Sequence, residues 1–282
     1  ATGCAALRSV AESDRVRGTE ILGIGVTGQQ HGVVVVGGDR APLTPLINWQ
    51  DRRVLDSVPG APDTYLDRMI DAAGPDYAHR TGCRLYPGFL SATLFWLKAN
   101  GGLPAGGTAC FLADYFGASL TGGPPATDPT NAGSSGVFDV AGGCWHRELI
   151  ESLGLPLALF PEVRQSGDRL GALTASAADA LGLAPGLPVS VALGDNQASF
   201  VGSVADRRHS VLVNVGTGGQ VSQYAEGFVC APPLETRPFP RGGYLVTEVG
   251  LCGGRSYAAL ERFFRQVGSD LLGTESAGKV YA

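Results

Sequence analysis

Long apolar runs are missing from this sequence. No stretch approaches the roughly 18 consecutive apolar residues that a membrane-crossing helix requires, so an integral helical membrane protein is excluded and no membrane partner is expected. An excess of positive charge is missing as well: 21 Lys and Arg stand against 26 Asp and Glu, a formal net charge of -5. Arg52-Arg53 and Arg207-Arg208 are isolated doublets, and without clustered cations no nucleic-acid partner is expected. The six cysteines are scattered, with no C-x-x-C; this speaks against a zinc site or a small disulfide framework and for reduced, mostly buried thiols. A secretory leader pattern is absent at the start, which makes the cytoplasm the expected location, and the chain does not begin with Met, which reads as a start inside a longer gene product. There is no repeat of 20 to 50 residues, and no G-x-x-x-x-G-K-[ST] phosphate loop.

What is present is length and glycine. The 282 residues suit two domains better than one, and 42 glycines without any period mark tight turns and close backbone approaches. Ile21–Val26 and Val33–Val36 read as apolar strands around the polar insert Thr27–Gly32. From Pro62 to Leu120 the spacing turns helical, through Leu94, Trp96 and Leu97 and then Phe111, Leu112, Tyr115 and Phe116. Thr121–Gly136 reads as a long ordered loop that returns into Val137–Val140. Further helices are expected over Glu148–Leu159 and Ala175–Leu183. Leu187–Leu193 then reads as a buried strand entering Gly194-Asp195-Asn196, and Val211–Val215 as a strand turning at Gly216–Gly219 into a hairpin. The chain closes on a strand from Gly243 to Leu251 and a helix through Leu260 and Phe264.

Three constellations carry chemistry. Gly23–Gly28 fits G-x-G-x-x-G, but a valine-rich strand follows where a dinucleotide site needs a helix N-terminus to hold the pyrophosphate, which argues against a nicotinamide-dependent dehydrogenase. Asp195 lies where a strand gives way to a small-residue helix; an ordinary N-cap and a functional acid are equal readings from local sequence. The glycine turn after Asn214 tips the balance, because it can offer backbone N–H groups to a phosphate. Gln30, His31, Trp49, Gln50, Asp51 and Arg52 supply the donors, acceptors and aromatic surface that a polyhydroxylated ligand demands, although a lone His is more often structural and Trp49 can equally be core.

In order along the chain, Gly25–Gly32, Asn48–Arg53, Asp114–Gly122, Thr127-Asp128, Asn131-Ala132, Gly182–Val189, Gly194–Ala198 and Asn214–Gly218 together resemble the FGGY family of carbohydrate kinases. The resemblance implies an α/β fold of the actin-like ATPase (ribonuclease H-like) type, truncated at both ends. Residues 1–190 would form a first, sugar-binding domain lacking its opening strands, and residues 191–282 the start of a second, nucleotide-binding one. It implies Asp195 as general base, with an indirect part in holding a metal. Gln30, His31, Trp49, Asp51, Arg52 and Asn196 would contact the sugar, and Gly216, Thr217 and Gly218 would meet the phosphates of ATP, with Mg2+ as companion. A small-molecule sugar is the expected partner, and a homodimer the family expectation. Trp49-Gln50-Asp51 and Leu251–Arg255 are more similar to sedoheptulokinases than to xylulokinases or glycerol kinases. Sedoheptulose is therefore the preferred substrate; xylulose or another sugar, or sugar binding without turnover, are the alternatives.

Overall fold

A computed structural model describes residues 2–216 and 218–274. Two extended segments set the frame. Residues 24–28 run parallel to residues 188–194, joined by a bridge at Ile24–Val189 and by the pairs Thr27–Leu193 and Gly28–Gly194. Between these pairings two residues on the first segment, 25 and 26, face three on the second, 190–192, and the ladder opens at Val191, whose N–H turns to the Asp168 carbonyl instead. That interruption is why the strand expected over Ile21–Val26 is reduced to one bridge and a short pair: the apolar alternation buries Ile24 and Val26 and leaves Leu22 in solvent.

The valine run Val33–Val36 behaves as its composition dictates. Val34–Val36 pairs antiparallel with Thr108–Cys110. Successive side chains of a strand point to opposite faces, so Val33 and Val35 enter one core with Met69, Leu94 and Phe111, while Val34 and Val36 meet Cys110 on the other side. Helices Tyr65–Ala73, Tyr77–Thr81, Leu90–Ala99 and Leu112–Thr121 fill the region of helical spacing. The first opens on a capping box, in which the Thr64 hydroxyl accepts from the Asp67 N–H at 3.1 Å and the Asp67 carboxylate accepts from the Thr64 N–H at 2.9 Å.

Three expectations are corrected. The stretch Thr121–Gly136 is not all loop: Ala126–Thr127 pairs with Glu162–Val163, and Pro129–Ala132 forms one helical turn capped by Asp128, whose carboxylate accepts from the Asn131 N–H at 2.9 Å. An acid N-cap followed by Pro at the first helical position is a start signal in its own right. The helix expected over Glu148–Leu159 stops at Ser152, because Gly154 adopts a left-handed φ of 64° and Pro156 follows; a single 3-10 turn, Leu157–Leu159, completes the stretch. Nor are the thiols mostly buried. All six are free, yet Cys144, Cys230 and Cys252 are exposed; strand alternation turns Trp145 inward and its neighbour Cys144 outward.

The remainder is a four-stranded antiparallel sheet in the spatial order Val211–Val215, Gly218–Ala225, Tyr244–Cys252, Glu235–Pro238. Helix Gly254–Gln266 follows it. Phe200, Phe239 and Leu245 pack between the sheet and helix Asp195–Ser203, which leaves the strand Leu193–Gly194 directly. Among the described residues no helix is long and apolar enough to cross a membrane.

Candidate functional site

A cavity of about 1010 Å³ opens between these parts. One wall carries Gln30, His31, Trp49, Gln50, Arg52 and Phe89; the sheet contributes Asn214, Gly216, Gly218, Glu235, Arg237 and Glu248; Asp195 and Asn196 reach it from the start of their helix.

Close backbone approaches assemble the wall. Gly88 takes a left-handed φ of 83°, and a Cβ there would overlap the Trp49 carbonyl, so only glycine lets these two segments touch. Its carbonyl accepts from the Gly32 N–H at 2.9 Å, which ties the Gln30–Gly32 turn to the same spot. Gly194 serves the acid: a Cβ at that position would overlap the Gln30 side-chain amide. Gln30 donates from that amide to the Thr130 carbonyl at 2.8 Å and to the Gln197 side-chain oxygen at 2.9 Å. Both its N–H groups are thereby spent, and only its oxygen is left for a ligand.

Asp195 is the first residue of its helix, with Gly194 in the N-cap position, so the ordinary capping role is not what the acid performs. Its carboxylate accepts from the Asn196 N–H at 2.8 Å, has the Gln30 backbone N–H beside it, and lines the cavity. Partial burial in the concave wall raises its pKa, against the backbone N–H groups of Asn196 and Gln30, which act the other way. Asn196, 7% exposed, keeps its side-chain oxygen buried without a partner, an acceptor waiting for a donor.

His31 stacks on Phe89 with ring centroids 4.5 Å apart and planes 8° from parallel. Its Nδ1 lies 3.0 Å from the Ser134 carbonyl oxygen; that nitrogen must carry the proton, which leaves Nε2 a pure acceptor. Burial, with the Arg237 guanidinium nearby, lowers the His31 pKa to about 3, so the ring stays neutral. Trp49 is 45% exposed on the cavity wall and is not a core residue.

Asp51 does not join the cavity. Arg53 holds both its oxygens at 2.9 Å and lies 4.2 Å over the Trp96 ring. Burial acts to raise the Asp51 pKa, but the Arg53 hydrogen bonds outweigh it and hold the carboxyl below its usual value. Gly216 and Gly218 both reach the cavity, and Thr217 between them lies outside the described residues. The Gly216 N–H is spent on the Gly218 carbonyl at 2.8 Å. A Cβ at Gly216 or Gly218 would meet nothing nearer than 3.8 Å, so these glycines leave open room for a ligand to approach the backbone. Among the described residues no group of three His, Cys, Asp or Glu side chains is placed to hold a metal ion.

Sequence reasoning passed over Arg84, Phe89, Glu235, Arg237 and Glu248, all of which line the cavity. The alternation Glu235-Thr236-Arg237 was a usable signal, since it puts two opposite charges on one face of a strand.

Residues 2–202 match the profile of the FGGY family of carbohydrate kinases, N-terminal domain. A glycerol kinase of Thermus brockianus is 32% identical over 86% of this chain and 46% of its own length. The human sedoheptulokinase is 30% identical over 89% of this chain and 54% of its own. Among solved structures, a xylulose kinase from Rhodospirillum rubrum superposes with a TM-score of 0.79 at 26% identity, over 95% of this chain and 53% of that one. The chain thus spans about half the length of the curated relatives it matches. The α/β, actin-like fold class expected from the sequence is borne out by these likenesses.

Proposed function

We propose, on the premise that this chain belongs to the FGGY family of carbohydrate kinases, that its cavity holds a sugar whose primary hydroxyl receives the γ-phosphoryl group of ATP. The observation that carries this reading is the position of Asp195. Its carboxylate lines the same cavity as His31, Asn196, Gly216 and Gly218, at a helix start where the dipole favours negative charge. The attacking hydroxyl gives its proton to the Asp195 carboxylate, which lines the cavity. A carboxylate made more basic by burial is better matched to that task than an ordinary surface aspartate.

The remaining residues position. Nε2 of His31 and the side-chain oxygen of Asn196 accept from sugar hydroxyls, and the Trp49 ring offers an apolar face for a sugar's C–H surface. Phosphoryl transfer relies mostly on such positioning together with charge neutralisation. Beside the glycine hairpin, Asp195 would have an indirect part in holding a magnesium ion that accompanies the phosphates of ATP. When bound, that ion supplies the neutralisation of phosphate charge.

For the substrate we propose a ketose, sedoheptulose before xylulose. Support comes from the sequence likeness at Trp49–Asp51 and Leu251–Arg255, and Trp49, Gln50 and Arg255 stand on the cavity. Discrimination between two ketoses can rest on one or two hydrogen bonds of about 1 kcal/mol each. The test is a coupled ADP-release assay on the intact gene product with sedoheptulose, xylulose, ribulose and glycerol. Release fastest with sedoheptulose supports the reading; release with none of the four refutes phosphoryl transfer and leaves a sugar-binding protein without turnover.

A further inference from the structure

Glu235 and Arg237 stand two residues apart on the strand Glu235–Pro238, and both line the cavity. Arg237 is 3% exposed. Its Nη1 donates to the Gly133 carbonyl at 2.8 Å, while Nε and Nη2 donate to one oxygen of Glu235, Oε2, at 3.1 and 2.5 Å. A guanidinium has five N–H donors and is never deprotonated in a protein. Three of the five are used here, which leaves one on Nη1 and one on Nη2. Oε1 of Glu235 accepts no bond from any described residue.

A buried ion pair is a weak source of stability, so its presence on a cavity wall asks for another reason. Two features narrow that reason. The pair is electrically neutral as a unit, so its unused groups offer direction and not net charge. It also sets donors and an acceptor side by side, the pattern that neighbouring hydroxyls complement, because each hydroxyl both donates and accepts. Phe89 extends the arrangement: Arg237 lies 5.5 Å over its ring, and His31 stacks on that ring.

We infer that Arg237 and Glu235 form a specificity subsite that grips two neighbouring hydroxyls of a neutral polyol and rejects sugars bearing a carboxylate or phosphate there. The inference rests on the reading that the cavity takes a sugar. Rejection follows because an anion approaching the guanidinium must also meet the Glu235 carboxylate, and like charges brought together out of water repel strongly.

The test is calorimetric binding of sedoheptulose, xylulose and gluconate to the full-length protein and to its Arg237→Met, Arg237→Lys and Glu235→Gln variants, with ADP binding and thermal unfolding measured alongside. Arg237→Met is expected to weaken ketose binding about 10- to 100-fold, through loss of charged donors, with ADP affinity unchanged. Arg237→Lys, which keeps the charge but not the planar fork, is expected to recover only part of that loss. Glu235→Gln is expected to gain about tenfold or more for gluconate, because its guanidinium is no longer compensated. Should Arg237→Met prove unfolded, Glu235→Gln and Arg237→Lys decide. Ketose binding within threefold of wild type in every folded variant, with no gain for gluconate, overturns the subsite, as does a wild-type protein that binds no neutral sugar. A wild-type protein that binds ketose through this pair but releases no ADP upholds the subsite while removing the kinase reading.

Discussion

Replacing Thr130 with valine removes one hydroxyl and almost no volume from the interior. That hydroxyl is fully buried. It accepts from the Gly194 N–H at 2.9 Å and donates to the Asp128 carboxylate, at 2.7 and 2.8 Å from its two oxygens. Thr130→Val leaves the Gly194 N–H without a partner beside the residue proposed as base, at a cost of about 1 to 3 kcal/mol for a buried unsatisfied donor. It also deprives Asp128 of one donor, worth roughly 1.5 to 3 kcal/mol for a bond to a charged acceptor; Ser166 and the Asn131 N–H remain on that carboxylate, so the lower end applies. The sum is about 2.5 to 4.5 kcal/mol, with no cavity term because valine fills the space. Urea unfolding of the full-length protein reads this as a lower midpoint at an unchanged slope. Because Gly194 also sets the N-cap of the Asp195 helix, kcat should fall by about tenfold while sugar KM moves less than about twofold. A midpoint shift equivalent to less than about 0.5 kcal/mol would show that this hydroxyl does not tie Asp128 to the Gly194–Asp195 turn.

Two further outcomes follow from the buried charges. Asp114 is fully buried, and desolvation raises its pKa well above the ordinary value of 3.8. The folded state therefore holds a proton that the unfolded state releases, so its contribution to stability declines as pH rises from about 4 toward the folded pKa. Asp114→Asn should flatten that decline and unfold at a higher temperature than wild type at pH 8, as differential scanning calorimetry over a pH series would show; a Tm deficit that grows with pH contradicts it. In the pH–rate profile, the base must be deprotonated to act, so activity should rise with pH through a limb displaced upward from 3.8 by the burial of Asp195. His31, held neutral down to about 3, should contribute no inflection between about pH 5 and 8. A limb near 6.5 that vanishes in His31→Asn would show the ring to be titrating.

Legibility followed the range of the forces involved. The place of Asp195 could be read because its determinants are local: an apolar run, a glycine, then small residues. The division of labour at Gln30 and His31 could not. Whether an amide meets a ligand or is spent on Thr130 and Gln197 depends on chain 100 and 167 residues away. Asp51 shows the opposite difficulty. A charged partner two residues along captures it, and a sequence rich in polar side chains does not say which of them pair with each other and which face a cavity. Glu235 and Arg237 escaped notice because an isolated acid and base on a short strand read as solvated charge, and only their burial against Gly133 makes them otherwise. The loop expected before Val137 hid a helical turn because its start signal, Asp128-Pro129, was outweighed by the surrounding glycines and prolines.

The most direct measurement is the turnover of Asp195→Asn in the full-length protein, paired with calorimetric sugar binding to the same variant. Asparagine keeps the shape and one acceptor oxygen but cannot hold the proton, so kcat should fall about 10²- to 10⁴-fold, or roughly 3 to 5 kcal/mol of barrier, while sugar affinity changes less than about threefold. A fall of less than tenfold with sugar binding intact would show that some other group takes the proton.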